Sequence, residues 1–550
     1  MKTTILNFTK SLSVLLMALF SCLTASAEVQ HEYVTVDGFQ YELVYDYDNP
    51  SSGYANMIYR DIDWETGDFY QIQYDGWNTD SIFYIPSSIG DFPVTNIMGG
   101  FGGFKDIKTI HVPPTVINIS RYAFAGSSLE SIYFVGDYYS NDLAPITFKE
   151  RDDYFTGWDD YGEGYDTTYY QDNHSEAFRG CERLSSVVFE RPVKKIAGGM
   201  FRDCPQLQSV QFYSSSYFDP DAMSLNSIGD CAFLNCKKLT HFEMPKSVRV
   251  IGNGAFAYCT SLETLDISRI TDIGDYAFAD CNLLDGITTS PSLQSIGEAA
   301  FINCTSLSNM SIPSTITAVP DYAFYNCGSI AHLDLKNVTT FGDRSFAGCY
   351  SLTEIDLSKA QSIGEAAFFG GSIYCVVHDE PNYYGTILGI GYKEEGWGTA
   401  ETTLGSLRKI TLGENVSHLF DRTFVGHIPD TITCMAPAPP TFSPADNYNW
   451  TFSREAYSNT VLCVPKVVVN DYSEAFGWER FVNIEGLTIM GNGDVNGDGH
   501  MSIGDVTALI DMLLSVGSDT SNPVNADVNG DGNLSIADVT RLIDMMLGIQ

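Results

Sequence analysis

Between residues 178 and 368 a phenylalanine returns at a nearly fixed interval. Phe178, Phe201, Phe233, Phe256, Phe278, Phe301, Phe324, Phe346 and Phe368 are separated by 23, 32, 23, 22, 23, 23, 22 and 22 residues. Phe124 and Phe424 extend the series across longer gaps. A period this short is one coil of a solenoid. No segment of that length buries its own apolar face, so each coil must lie on the next. The coil "NCTSLSNMSIPSTITAVPDYAF" shows how. Leu307, Met310 and Ile312 alternate as a strand that Pro313 ends, and Ile316 and Val319 mark a short return segment. "PDYAF" turns the chain, and Ala323 and Phe324 enter the interior.

Cysteine follows the same period. Cys181, Cys204, Cys236, Cys259, Cys281, Cys304, Cys327 and Cys349 each stand three residues after a repeat phenylalanine. One cysteine per coil at one position predicts a column of small buried thiols. The alternatives are cross-coil disulfides or a metal ladder. Two particular coils lack this cysteine, those of Phe124 and Phe368, which carry Ser127 and Gly371 in its place. Both are read as bearing large insertions, near 135–174 and 379–404, and a short insertion falls near 213–222. Each insertion is expected to leave just after the coil's apolar strand, at Phe134, Phe212 and His378, so all three should project from one rim. The two large ones mix rings with acids. Tyr154, Trp158, Tyr161 and Tyr165 in the first, and Tyr383, Tyr384 and Trp397 in the second, are candidate ligand contacts for a protein or a glycan. The bland alternative is a loop that lays its rings on the solenoid flank.

The recurring "SIGDCAFLNCKKL", "VIGNGAFAYCTSL", "DIGDYAFADCNLL" and "SIGEAAFINCTSL" resemble the BspA-type leucine-rich repeats of bacterial surface proteins. The resemblance covers about 84–435. It implies an α+β, mostly β fold: a leucine-rich-repeat solenoid of 22–23-residue coils. Residues 28–83, rich in tyrosine and alternating apolar residues, read as a β N-terminal cap, and 436–487 as a closing segment.

Near the C-terminus a second repeat appears. "GDVNGDGHMSIGDV" recurs as "ADVNGDGNLSIADV". Counted from Asp494, the first places Asp494, Asn496, Asp498, Gly499, His500, Ser502 and Asp505 at positions 1, 3, 5, 6, 7, 9 and 12 of a calcium loop. The second places Asp527, Asn529, Asp531, Gly532, Asn533, Ser535 and Asp538 likewise. Calcium needs about six to eight oxygens, which this spacing supplies from side chains, from the carbonyl at position 7 and through water at position 9. Val506, Leu509, Ile510 and Leu513 then recur with helical period, as do Val539, Leu542, Ile543 and Met546. Only "TIMGNG" precedes Asp494, so the entering helix of a full EF-hand is missing.

Loop plus one helix, written twice over about 491–550, resembles a type I dockerin, a small all-α calcium-binding domain expected over 488–550. The resemblance implies two calcium ions and docking onto a cohesin-like partner. The partner would meet Ile503, Gly504, Ile510 and Asp511 in the first half and Ile536, Ala537, Ile543 and Asp544 in the second. The near-identity of the halves would permit binding in either of two orientations.

The first 27 residues read as an export signal: Lys2 and Lys10, an apolar run from Leu12 to Phe20, then Ala25-Ser26-Ala27. Cys22 follows "LFS", a faint lipoprotein box from which Phe20 departs. The chain is expected to be secreted or held at the cell surface. A formal charge of -39 argues against nucleic acid and anionic membranes as partners. The apolar run is too short to span a bilayer, and no transmembrane segment is expected. No His-Glu-x-x-His, Gly-x-Ser-x-Gly or phosphate loop occurs, and no stretch near a domain in size is left over. No catalytic residue is assigned. The expected function is non-catalytic recognition or adhesion. The alternative is an accessory subunit or enzyme of extracellular polysaccharide degradation, since dockerins often tether such enzymes.

Overall fold

The structure, a computed structural model, describes residues 29–549 apart from 37–38, 47–48, 59–80, 100, 102–105, 137–144, 150–174, 194, 213–224, 309, 371–372, 380–389, 398–404, 444–450 and 515–521. The export signal, Tyr154, Trp158, Tyr161, Tyr165, Tyr383 and Tyr384 lie outside the described residues. The chain divides into two compact units, Met1–Val248 and Arg249–Gln550.

In the first unit, β1 (Val29–Val36), β2 (Phe39–Asp46) and β3 (Asn49–Ile58) form an antiparallel meander. The long strands β4 (Ile82–Tyr84), β7 (Thr109–Val112), β9 (Ser131–Phe134), β11 (Ser186–Phe189) and β12 (Ser209–Phe212) make one parallel sheet. Between them, β5 (Ser88–Ile89), β6 (Phe92–Ile97), β8 (Asn118–Ile119) and β10 (Thr147–Phe148) belong to the sheet that begins with the meander, β3 running parallel to β6. The cap therefore feeds directly into the short-strand side of the coils. Registers align like with like: Ile110 with Ile132, Ile132 with Val187, and Val187 with Val210, all buried.

The second unit repeats the scheme. Its long strands lie in two parallel sheets, Thr264–Ile267 paired with Gly286–Thr289, and Glu354–Leu357, Lys409–Leu412, Thr431–Cys434, Val461–Pro465 and Asn483–Leu487 together. Helices α1 (Arg454–Asn459) and α2 (Val469–Glu474) lie in the closing segment. There Trp478 is fully buried and its indole N–H donates to the Pro440 carbonyl at 2.7 Å.

The repeat phenylalanines stack into a column inside each unit. Phe101, Phe124, Phe178, Phe201 and Phe233 follow at centroid distances of 4.9–5.3 Å. Phe256, Phe278, Phe301, Phe324, Phe346, Phe368, Phe424 and Phe452 follow at 5.1–5.8 Å, with planes within 15°. Burying each ring contributes about 1.5–3 kcal/mol. The columns close with Phe101, one period of 23 residues before Phe124, and with Phe452, which lies off the period at 28 residues after Phe424. Left-handed residues flank the rings, such as Ala299 and Asn303 around Phe301. Coils meet so closely there that a Cβ on Gly274 would sit 2.7 Å from the Asn253 nitrogen.

Within each unit the repeat cysteines form the expected column of buried thiols, none of them in a disulfide. Cys181, Cys204, Cys236, Cys281, Cys304, Cys327 and Cys349 each donate to the carbonyl of the phenylalanine one coil back, for example Cys204 to Phe178 at 3.0 Å, Cys304 to Phe278 at 3.1 Å and Cys327 to Phe301 at 3.0 Å. Burial pushes the Cys281, Cys304 and Cys327 thiols well above the usual range, so they are poor nucleophiles. A thiol reagent should therefore leave this column unlabelled until the chain unfolds. Replacing Cys304 by alanine should cost about 1–2 kcal/mol in urea unfolding, from a small void and the lost hydrogen bond to the Phe278 carbonyl, which keeps the Cys281 N–H.

The insertions correct the single-rim expectation. In the first, β10 is the coil's own return strand, paired with β8, so the span read as one insertion at 135–174 holds a piece of the coil itself. In the last, Ile373–Asp379 pairs antiparallel with Ile390–Trp397 as a hairpin of its own. The coil's strand is Lys409–Leu412, paired directly with Glu354–Leu357. The insertion thus precedes the strand and begins at about 371, not after His378. The short insertion read near 213–222 lies outside the described residues, between β12 and Ser227–Ile228. The apolar alternation of "IYCVVH" imitates a coil strand, and pattern alone cannot tell a hairpin arm from one. Trp397 ends the second arm of that hairpin.

Candidate metal centre and docking face

Each of the two acidic loops ends in a helix, and each helix starts the same way. Ser502 caps α3 (Ile503–Leu513): its hydroxyl accepts from the Gly504 N–H at 3.1 Å, and Asp505 accepts from the Ser502 N–H at 2.7 Å. Ser535 and Asp538 repeat this box on α5 (Ile536–Met546) at 3.1 and 2.9 Å. Both serine hydroxyls are therefore engaged at helix starts. A four-residue helix, α4 (Pro523–Ala526), precedes the second loop, whereas the element directly before the first, among the described residues, is the strand Asn483–Leu487.

Inside each loop, backbone N–H groups gather the carboxylates. Asp494 accepts from Asp498 N–H at 3.1 Å and Gly499 N–H at 3.0 Å. Asp527 accepts from Asp531 and Gly532 at 3.1 and 2.7 Å. Asn496 and Asn529 accept from the N–H of Asp498 and Asp531 at 2.9 and 2.8 Å, and Asp498 and Asp531 from His500 and Asn533 at 2.8 Å each. Gly499 and Gly532 take φ of 81° and 74°, the left-handed turn that position 6 requires. Asp494, Asp498 and Asp505 each bring a carboxylate oxygen within 4.8 Å of the others, the one such trio among the described residues. An all-oxygen donor set this close fits a hard divalent cation.

Asp505 and Asp538 are fully buried. Burial raises the Asp505 carboxyl, but N–H donors from Asn496, Ser502 and Val495 outweigh it and hold the group below its ordinary range. In the second loop burial, with Asp538 and Asp531 nearby, raises Asp527. That loop is also held from outside. Lys466 of the closing segment donates to the Asp531 carbonyl at 2.9 Å, a contact without any motif to announce it.

Beneath the loops, Val495, Val506, Leu509, Ala526, Val528, Val539 and Leu542 form one core. Neither helix could bury its stripe alone. The helical stripes predicted from sequence divide, however. Leu509 and Leu542 are fully buried, whereas Ile510 and Ile543 are 38% and 39% exposed. Ile503 and Ile536 stand out further, at 76% and 74%. Gly504, Asp511 and Asp544 are half-buried and Ala537 is exposed. The outer faces of the two halves match nearly residue for residue.

One residue of the solenoid escaped the sequence reading. His427 stands three residues after Phe424, the cysteine's position, and its Nε2 meets the Phe368 carbonyl at 2.8 Å. Its Nδ1 accepts from the Leu407 N–H at 3.3 Å. Gly370 and Gly405 leave room for the ring, since a Cβ on either would run into it. Counting three from Phe424 would have found it.

Residues 93–144, 171–292 and 271–382 match the BspA type leucine rich repeat region, in six copies. Residues 492–547 match the dockerin type I domain. No curated protein matches the chain. Among solved structures, a leucine-rich repeat protein from Bacteroides ovatus is 16% identical, covering 78% of this chain and 100% of its own, at a TM-score of 0.31. The pneumococcal vaccine antigen PcpA is 14% identical, covering 84% and 98%, at 0.36. A leucine rich cell surface protein from Faecalibacterium prausnitzii is 20% identical, covering 60% and 94%, at 0.25. Scores this low carry no argument about shape.

Proposed function

We propose that this chain, which carries BspA-type leucine-rich repeats and a type I dockerin domain, is an exported, non-catalytic recognition protein that docks by its C-terminus in a calcium-dependent way. Both matched families are non-catalytic and typical of extracellular proteins. No helix of the described residues is long and apolar enough to cross a membrane. In this reading 1–27 direct export, 28–83 cap the solenoid, 84–435 present a ligand surface for a protein or glycan, 436–487 close it and 488–550 dock. Asp494, Asn496, Asp498, His500 and Asp505 hold one calcium ion, with Ser502 through water. Asp527, Asn529, Asp531, Asn533 and Asp538 hold the second, with Ser535 likewise. The isoleucine pairs Ile503/Ile510 and Ile536/Ile543, flanked by Gly504, Asp511, Ala537 and Asp544, face a cohesin-like partner.

The observation that carries this reading is the twofold match: one hydrogen-bond scheme in both loops, over one shared core, with equal exposure of the outer isoleucines. Equilibrium dialysis of the intact chain should find two calcium ions per chain. Asp498→Ala should leave one, and Asp498→Ala with Asp531→Ala none. These two carboxylates are exposed, so their removal spares the packing. Two ions retained by the double variant would refute the ligand assignment. Release of reducing ends from plant or microbial glycans would favour the alternative, a polysaccharide-degrading enzyme or accessory subunit.

A further inference from the structure

The first unit carries an aromatic ladder on the outward side of its long-strand sheet. Tyr84 pairs in register with His111, and His111 with Tyr133. Their rings stack at 4.5 and 4.8 Å with planes within 13° and 8°. Tyr84 lies on the edge strand and is 65% exposed, with Ile82 40% exposed two residues before it. The equivalent outward positions of the second unit hold small polar residues, among them Asp266, Thr288, Asp356 and Thr411. The ladder is therefore not a demand of the repeat.

Beside it runs a row of hydroxyls, Thr109, Ser131, Ser186 and Ser209, in register across four strands. At the start of those strands opens a groove of about 400 Å³ lined by Glu130, Glu182, Arg183, Ser185, Gln206 and Gln208. Strand β9 joins the two features. Glu130 lines the groove and Tyr133 ends the ladder, roughly 10 Å further along the strand.

We infer that this face binds a neutral polysaccharide, with Tyr84 as its stacking platform. The inference rests on the recognition reading and names its ligand class. Stacking on His111 fixes the Tyr84 ring in advance, so binding costs little side-chain entropy. A fixed flat ring suits the C–H face of a sugar. The amides, carboxylates and hydroxyls alongside suit its paired hydroxyl groups. A protein partner would be met by an apolar centre with a polar rim. Here the rings run inward from the sheet edge, Tyr84 at the edge itself, and the groove is polar. The acidic charge of the chain disfavours anionic glycans. From β4 to β12 the face spans roughly 19 Å, room for several sugar units.

The test is affinity electrophoresis of the intact chain in gels holding mixed-linkage β-glucan, arabinoxylan, galactomannan or starch, with pectin as the anionic probe. At least one neutral glycan should retard the wild type. Tyr84→Ala should weaken that retardation about tenfold, and Tyr84→Phe should preserve it. Glu130→Gln should weaken it as well. Unchanged thermal unfolding of Tyr84→Ala would show that the loss is local. Equal retardation of wild type and Tyr84→Ala would overturn this site while leaving the recognition reading intact. Retardation by pectin alone, by no glycan, or capture of a protein through Tyr84 instead would also overturn it. Calcium-dependent docking, scored separately, should be the same in every variant, and its absence from the wild type would count against the docking reading instead.

Discussion

Asp280→Asn should make the second unit more stable at pH 7 by about 3 kcal/mol and change little at pH 4. Asp280 accepts from the Asn303 amide at 3.2 Å, and its other oxygen has no hydrogen-bond partner among the described residues. Burial pushes its carboxyl up to about 6. The folded state thus prefers the protonated acid. The stability this group supports is complete below its unfolded value near 3.8 and is lost as the pH rises through 6. Asparagine removes the buried charge and adds a donor beside Asn303 and Asn326, which already bond at 3.0 Å.

His427 works in the opposite direction. Burial lowers it to about 4, although the Phe368 carbonyl favours the charged form. Its contribution is present above about 6.5 and is lost as the pH falls through 4, again by about 3 kcal/mol. The two slopes oppose each other between pH 4 and 6. Urea unfolding at pH 7 and pH 4 should therefore show a small difference in the wild type and a marked acid loss in Asp280→Asn. His427→Gln, which keeps an N–H donor, should instead gain stability towards pH 4. Parallel shifts in all three proteins would mean that neither group is buried as described.

Disabling one docking half should cost little and disabling both should abolish capture. If Ile503/Ile510 and Ile536/Ile543 present equivalent faces, a partner has two ways to bind. Changing Ile503 and Ile510 to aspartate removes one way, a loss of about twofold, or about 0.4 kcal/mol. Changing all four buries charge against the partner in either orientation and should weaken binding at least about a thousandfold. Surface plasmon resonance with the captured partner measures both. A thousandfold loss from one pair alone would show that only one half docks.

The column of rings and thiols was legible in the sequence because a 22–23-residue period leaves one packing solution. Each coil must repeat the burial of its neighbour, so Phe301 and Cys304 announce themselves by spacing. The calcium-type loops were legible for a related reason: a fixed twelve-residue geometry leaves little freedom in where the oxygens stand. The insertions were not. A hairpin arm at Ile373–Asp379 alternates like a coil strand, and only its pairing with Ile390–Trp397 separates them. Ile510 and Ile543 shared the helical period of the core, yet the short shared core leaves them outside. Lys466 and Tyr84 act through contacts between segments far apart in sequence, for which no local pattern exists.

The most direct test is capture of cohesin modules by the intact chain, once with calcium and once with chelator. Capture in calcium that is lost with chelator, and lost in the variant lacking both Asp498 and Asp531 carboxylates, is the predicted result. Equal capture under both conditions, or none across cohesins of the source cell, would contradict the account and leave the two loops as a cap on the end of the solenoid.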